Sequence, residues 1–207
     1  DGWDFIRMAV ISIEESDFIN KKWKWSKPVL ISPAGEINKN WVLFPAKING
    51  KFAILHSINP EVQIGYVDSL EELSSGAKKI KSRFGQRGPR STWDTYLRGV
   101  GPSPIKTEKG WLVLYHATTA GEGRYKLGAM LLDLENPEKV IARSPEPILA
   151  PDEWYENDWK AGVIYACGAV VKDGQLIVYY GGGDKHVCVA ERPLDELLNW
   201  LLEYGKV

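Results

Sequence analysis

The chain has 207 residues, 44% of them hydrophobic and 26% charged, with a formal net charge of −1. That is enough apolar material for a sizeable core, and a balance this close to neutral argues against a protein that holds nucleic acid by bulk charge. No apolar run approaches the ~20 residues of a membrane-spanning helix, so neither nucleic acid nor a membrane is expected as a partner.

The first predicted element is a strand in Phe5-Ile-Arg-Met-Ala-Val-Ile-Ser-Ile13, with an exit turn over 14–18. An outer strand bounded by prolines follows at 28–33, as edge strands often are. Next comes a hairpin, Pro45-Ala-Lys-Ile-Asn-Gly50-Lys-Phe-Ala-Ile-Leu-His56, and a further strand at 62–67. The connection from 74 to 98 is long and basic, and loops of that length are more often functional than idle. Its segment from Lys78 to Arg90, interleaved with Phe84, is the one stretch that resembles a nucleic-acid contact, but no recognition motif accompanies it.

The hairpin then recurs as Pro104-Ile-Lys-Thr-Glu-Lys-Gly110-Trp-Leu-Val-Leu-Tyr-His116, with a strand at 126–132, and a second proline-bounded outer strand is expected at 145–151. A third copy, Ala169-Val-Val-Lys-Asp-Gly174-Gln-Leu-Ile-Val-Tyr-Tyr180, is followed by a strand at 186–190. The chain closes on a short helix after Pro193, with Leu194, Leu197, Leu198, Leu201 and Leu202 on one stripe. That stripe packs on the sheets or meets another subunit.

The turn glycines Gly50, Gly110 and Gly174 lie 60 and 64 positions apart. Antiparallel strands repeating at this period predict an all-β fold, a β-propeller with about four strands in each blade. The stretch 5–18 looks like the end of a repeat with no hairpin before it. One propeller domain over 1–207 is therefore expected, truncated at its N-terminus, and its unpaired edges predict self-association into a homo-oligomer. Cys167 and Cys188 each fall in a strand and read as buried free thiols of a cytoplasmic protein, a bridge between neighbouring strands being the alternative. The three histidines, His56, His116 and His186, are scattered without ligand spacing, so no metal is expected.

Nine Trp and nine Tyr serve either blade packing or a sugar cleft, because flat ring faces match the apolar faces of a pyranose. Asp184 and His116 end apolar strands where a propeller opens to its cleft, and both are candidate sugar ligands. Their structural alternatives are a turn residue and a satisfied buried histidine. Asp94, in Ser91-Thr-Trp-Asp-Thr95, is the candidate acid or base within the chain, with Trp93 beside it as an apolar wall; a solvated loop carboxylate is the alternative. Asn40 and Lys47 complete the cleft candidates.

Several phrases carry a family resemblance: Leu43-Phe-Pro-Ala-Lys-Ile-Asn-Gly50, Gly99-Val-Gly-Pro-Ser-Pro-Ile105, Leu127-Gly-Ala-Met-Leu-Leu-Asp-Leu134, Arg143-Ser-Pro-Glu-Pro-Ile-Leu149 and Tyr179-Tyr-Gly-Gly-Gly-Asp184. The chain resembles glycoside hydrolase family 130 over nearly its whole length. The resemblance implies a five-bladed propeller, about three to four blades of it in this chain, and an inverting enzyme acting on β-linked manno-oligosaccharides. It also implies a catalytic Asp in an Asp-Pro-Arg-like segment, which this chain does not contain.

The family's phosphorylases place an Arg-Asn pair before Leu-Phe-Pro, where Lys39 and Asn40 stand, a second Arg where Ser57 stands, and a Lys where Leu97 stands with Arg98 adjacent. His116 matches a further position at the edge of that phosphate pocket. Lysine offers charge without the two-pronged guanidinium, and serine offers none. Hydrolysis is accordingly expected ahead of phosphorolysis with inorganic phosphate as co-substrate, and Arg98 is the residue placed to restore the charge. A non-catalytic sugar-binding propeller is the third reading.

Overall fold

The computed structural model describes residues 6–82, 92–205 and 207. Most of the basic stretch of the long connection, 83–90, lies outside the described residues, as does Phe5.

Among the described residues the strands gather in four antiparallel sheets taken in chain order. The first pairs β1 (Ala9–Val10) with β2 (Val29–Leu30), and between them the expected exit turn is a short helix, α1 (Glu15–Ile19). The second contains β3 (Val42–Leu43), β4 (Phe52–Ser57) and β5 (Gln63–Val67), followed by α2 (Glu71–Ser74). The third is built from β6 (Tyr96–Val100), β7 (Ile105–Thr107), β8 (Gly110–Thr118), β9 (Tyr125–Leu132) and β10 (Val140–Arg143); β8 pairs with β6, β7 and β9. The fourth is the meander β11 (Ile164–Lys172), β12 (Gln175–Gly182) and β13 (His186–Pro193), leading into α3 (Leu194–Tyr204).

Local chemistry accounts for the hairpins. Asn49-Gly50 and Asp173-Gly174 both have positive φ at each position, 50° and 80° in the first, 50° and 75° in the second. Two left-handed residues in succession make the type I′ turn whose twist matches the flanking strands, and Asn-Gly and Asp-Gly are the pairs that form it most readily.

Successive sheets stack face to face. Phe44, Leu55 and Ile64 of the second meet Trp111, Val113 and Met130 of the third, and Leu112, Leu114 and Leu131 on its other face meet Ile164, Leu176 and Val178 of the fourth. Alternate side chains of β8 thus serve two interfaces. All nine of its residues are buried, which is why it reads as one apolar run. Ile31, packed with Ile54, Val67 and Leu73, joins the first sheet to the second. Chain-order stacking of this kind is that of propeller blades.

α3 lays Leu197, Leu198 and Leu201 into the interface of the third and fourth sheets, whereas Leu202 of the expected stripe is exposed. The outer strand expected at 145–151 does not form: Pro145 and Pro147 have no N–H to give a ladder, and only an isolated bridge joins Leu149 to Leu127. The outer strand of that sheet is β10 instead. Both cysteines are free thiols, but Cys167 is exposed rather than buried and Cys188 is half-buried. No helix of the described residues is long and apolar enough to cross a membrane.

Candidate active site

The β4–β5, β8–β9 and β12–β13 connections lie at the opposite end of the sheets from the two type I′ turns, and this end carries a polar rim. Contacts across the sheets knit it together. The Tyr165 hydroxyl donates to Asn40 Oδ1 at 3.0 Å, and Asn40 Nδ2 donates to the Arg98 carbonyl at 2.9 Å. The Arg98 guanidinium lies 5.5 Å from the centre of the Tyr125 ring, and the Tyr125 N–H bonds to the Gly162 carbonyl at 2.8 Å.

A cleft opens between the second and third sheets, and Lys39, Asn40, Ser57 and Arg98 all line it. Four sequence candidates from three separate stretches are therefore neighbours. His56 and Ser82 form one wall, with His56 Nδ1 2.8 Å from Ser82 Oγ. The Ser57 hydroxyl donates to the Asn59 carbonyl at 2.9 Å. None of the described residues that line the cleft is Asp or Glu, while Lys39 and Arg98 are cations. Cations, hydroxyls and amides gathered in this way suit an anion with several acceptor oxygens.

The glycines of the Gly99-Val-Gly101 phrase allow this close approach. A Cβ at Gly99 would stand 2.4 Å from Asn40 Nδ2, and one at Gly101 would stand 2.0 Å from the Ala166 carbonyl oxygen. The phrase is a packing requirement between sheets beside the cleft.

His116 is fully buried and is not presented to the cleft as a sugar ligand. Its ring stacks on Tyr165, with centres 4.0 Å apart and planes at 9°, and its Nε2 accepts the Ala166 N–H at 2.8 Å. Burial pushes its pKa down to about 4, against a smaller opposing effect of the Gly99 backbone. Nδ1 has no hydrogen-bond partner among the described residues. The ring is thus a neutral strut: it holds β11, which carries Tyr165, which in turn holds Asn40.

Asp94 corrects the acid assignment. It is 1% exposed and lies within the packing of the third sheet rather than in the cleft. Its carboxylate accepts the Tyr115 hydroxyl at 3.0 Å and the Thr92 hydroxyl, and Arg143 Nη1 lies 3.6 Å away. Trp93 is likewise no cleft wall: it stacks near Tyr115, with centres 6.1 Å apart, and its indole N–H donates to the Ser144 carbonyl at 3.1 Å. Lys47 sits at the other end of the second sheet, its ammonium 4.5 Å from the centre of the Phe52 ring.

Asp184 does stand on the rim, in the β12–β13 turn, where Lys160 Nζ donates to it at 2.8 Å. The ammonium pKa of Lys160 is raised, chiefly by that hydrogen bond, with Asp184 charge and Tyr125 adding to it. Tyr125, Tyr165 and Lys160 were not singled out from sequence. Aromatic residues at strand starts were the available signal, but no spacing ties them to positions 40 or 98.

A family model described as beta-1,4-mannooligosaccharide phosphorylase matches residues 20–203. The chain belongs to glycoside hydrolase family 130. It is similar to the 1,2-beta-oligomannan phosphorylase of Thermoanaerobacter sp. (strain X514), with 41% identity over 169 residues, 81% of this chain and 53% of that protein. The Beta-1,2-mannobiose phosphorylase of the same organism is 38% identical over 191 residues, 91% of this chain and 59% of that one. Among solved structures, a Beta-1,2-Mannobiose phosphorylase from Listeria innocua in complex with beta-1,2-mannobiose superimposes with a TM-score of 0.64 at 36% identity, covering 79% of this chain and 46% of that one. The chain spans about half the length of the relatives it matches. Its four sheets are blades of the five-bladed β-propeller of family 130.

Proposed function

We propose that this family 130 chain supplies the phosphate- and sugar-binding rim of a β-mannoside phosphorylase. In that reaction a phosphate oxygen forms a bond to C1 of the terminal β-mannosyl unit as the bond from C1 to the leaving oxygen breaks. The leaving oxygen takes a proton from a carboxylic acid, and the product is α-mannose 1-phosphate with inverted configuration. Inorganic phosphate is the co-substrate, and the oligosaccharide is the partner. No carboxylic acid is among the described residues lining the cleft, which suits them to holding phosphate.

The observation that carries this reading is that Lys39 and Arg98 line one cleft, with no Asp or Glu among its described lining residues. Arg98 supplies the guanidinium that Lys39 lacks and the charge that Ser57 lacks. The weight therefore moves from hydrolysis, expected on the loss of those cations, to phosphorolysis. The named relatives support the same direction, since they are called phosphorylases of 1,2-linked oligomannan and mannobiose. Asp184 is the rim carboxylate proposed to accept mannose hydroxyls, with Asn40 held by Tyr165 to face the same space.

Incubation with β-1,2-mannobiose, with and without inorganic phosphate, tests the reading through its products. Phosphate-dependent release of mannose 1-phosphate is expected where a carboxylic acid from outside the cleft completes the site. Release of free mannose independent of phosphate would restore hydrolysis, and sugar binding without saturable phosphate binding would leave the non-catalytic reading.

A further inference from the structure

The loop before β11 holds a group of aromatic side chains that the phosphate cleft does not use. Trp154 and Tyr155 lie on a short 3-10 turn, Trp154–Glu156. The loop is firmly built. The buried Glu156 carboxylate accepts the Glu153 N–H at 2.8 Å and the Tyr180 hydroxyl at 2.7 Å. Asn157 spans it, donating to the carbonyls of Pro151 and Glu153 at 3.0 and 2.8 Å and accepting the Gly162 N–H at 2.9 Å. On this fixed frame Trp154 and Trp159 are each 70% exposed. Among the described residues this fixed loop leaves both indoles largely uncovered.

The surroundings of Trp154 have the chemistry of a pyranose site. Its ring meets Tyr155 and His186 edge-on, with centres 5.6 and 5.4 Å apart and planes at 81° and 74°, so that the three rings brace one another. They line a shallow hollow with Val187, Cys188 and Val189 of β13. At its edge Asp158 accepts from Lys185 Nζ at 2.7 Å and from the His186 ring at 2.9 Å. An apolar ring face beside a fixed set of charged donors and acceptors matches a sugar, whose C–H face is apolar and whose rim carries hydroxyls.

Position connects this hollow with the cleft. Asp184 and Lys160 stand between them: Asp184 adjoins Lys185 in the β12–β13 turn, and Lys160 lies in the same loop as Trp154, within electrostatic reach of Tyr125, over which Arg98 lies. The rim thus runs from Arg98 through Tyr125 and the Lys160–Asp184 pair to Trp154. Resting on the phosphorylase reading above, we propose that Trp154, Tyr155 and His186 form a subsite for a mannosyl unit distant from the bond that is cleaved. Selection of oligomannosides over the disaccharide would then reside in this ledge.

The test is calorimetric titration of the intact chain with β-1,2-mannobiose and with β-1,2-mannotetraose, in the wild type, Trp154→Ala and Trp154→Phe. The tetraose is expected to bind about five- to tenfold more tightly than the biose, the advantage of one aromatic contact. In Trp154→Ala that ratio falls to about one, and in Trp154→Phe most of it returns. Circular dichroism checks that each variant is folded. Equal affinities for the two sugars in the wild type, or an unchanged ratio in Trp154→Ala, overturn the subsite. A Trp154-dependent ratio without saturable phosphate binding would leave the ledge standing and remove the phosphorylase reading; saturable phosphate binding with no length preference would do the reverse.

Discussion

Asp94→Ala is expected to destabilise the protein by about 3–5 kcal/mol, the usual consequence of removing one member of a buried ion pair. The carboxylate is 1% exposed and Arg143 is buried beside it, its guanidinium 5.3 Å from the centre of the Tyr115 ring. Without Asp94 the Arg143 charge loses its counter-ion, and the hydroxyls of Thr92 and Tyr115 lose the acceptor they share. Among the described residues, Nε and Nη1 of Arg143 have no hydrogen-bond partner. Asp94→Asn keeps the volume and an acceptor oxygen, and is expected to cost less, about 1–3 kcal/mol. Urea unfolding of the wild type and both variants measures the difference. An Asp94→Ala protein within about 1 kcal/mol of the wild type would contradict the structural role and reopen the catalytic one.

Acidification provides the second large effect, through His116. The ring is buried, accepts the Ala166 N–H and has its pKa depressed to about 4, against about 6.5 in an unfolded chain. Between those values the unfolded chain binds a proton that the native state refuses. Stability therefore rises with pH across this window. The contribution is fully present above about 6.5 and is lost as pH falls to about 4, a change of roughly 3 kcal/mol. Asp133 and Asp158 titrate lower still, their pKa values reduced chiefly by the Asn136 backbone N–H in the first case and by Lys185 in the second. His116→Gln removes the imidazole and should flatten the slope of unfolding free energy between pH 6.5 and 4.5. Parallel slopes for the wild type and His116→Gln would show that another group governs the acid response.

The blades were legible in the sequence because their signals are local. Asn49-Gly50 and Asp173-Gly174 specify hairpin turns through the conformations of two adjacent residues, and the apolar run Gly110–Thr118 marks a strand covered on both faces. The stretch 145–151 misled because prolines that bound an edge strand also prevent one. Lys39, Ser57 and Arg98 were identified separately, through the family pattern, but their convergence on one cleft depends on stacking of the second and third sheets.

Asp94 illustrates the limit most clearly. A loop Asp beside a Trp reads as solvated or catalytic, and nothing nearby announces that its partner, Arg143, arrives from the last strand of the same sheet. His116 was misread for the same reason. A histidine ending an apolar strand points to a cleft until Tyr165 and the Ala166 N–H of the next blade cover it. The aromatic content announced sugar binding only in general, because exposure, which distinguishes Trp154 and Trp159 from the buried Trp111, is a tertiary property.

The most direct experiment on the cleft is titration of inorganic phosphate into the wild type and Arg98→Ala, followed calorimetrically and requiring no turnover. Saturable phosphate binding is expected, about tenfold weaker in Arg98→Ala; this is the low end for a charge-assisted contact because Arg98 is exposed. No saturable binding by the wild type, or equal affinity in the two proteins, would contradict the assignment of Lys39, Ser57 and Arg98 to a phosphate site.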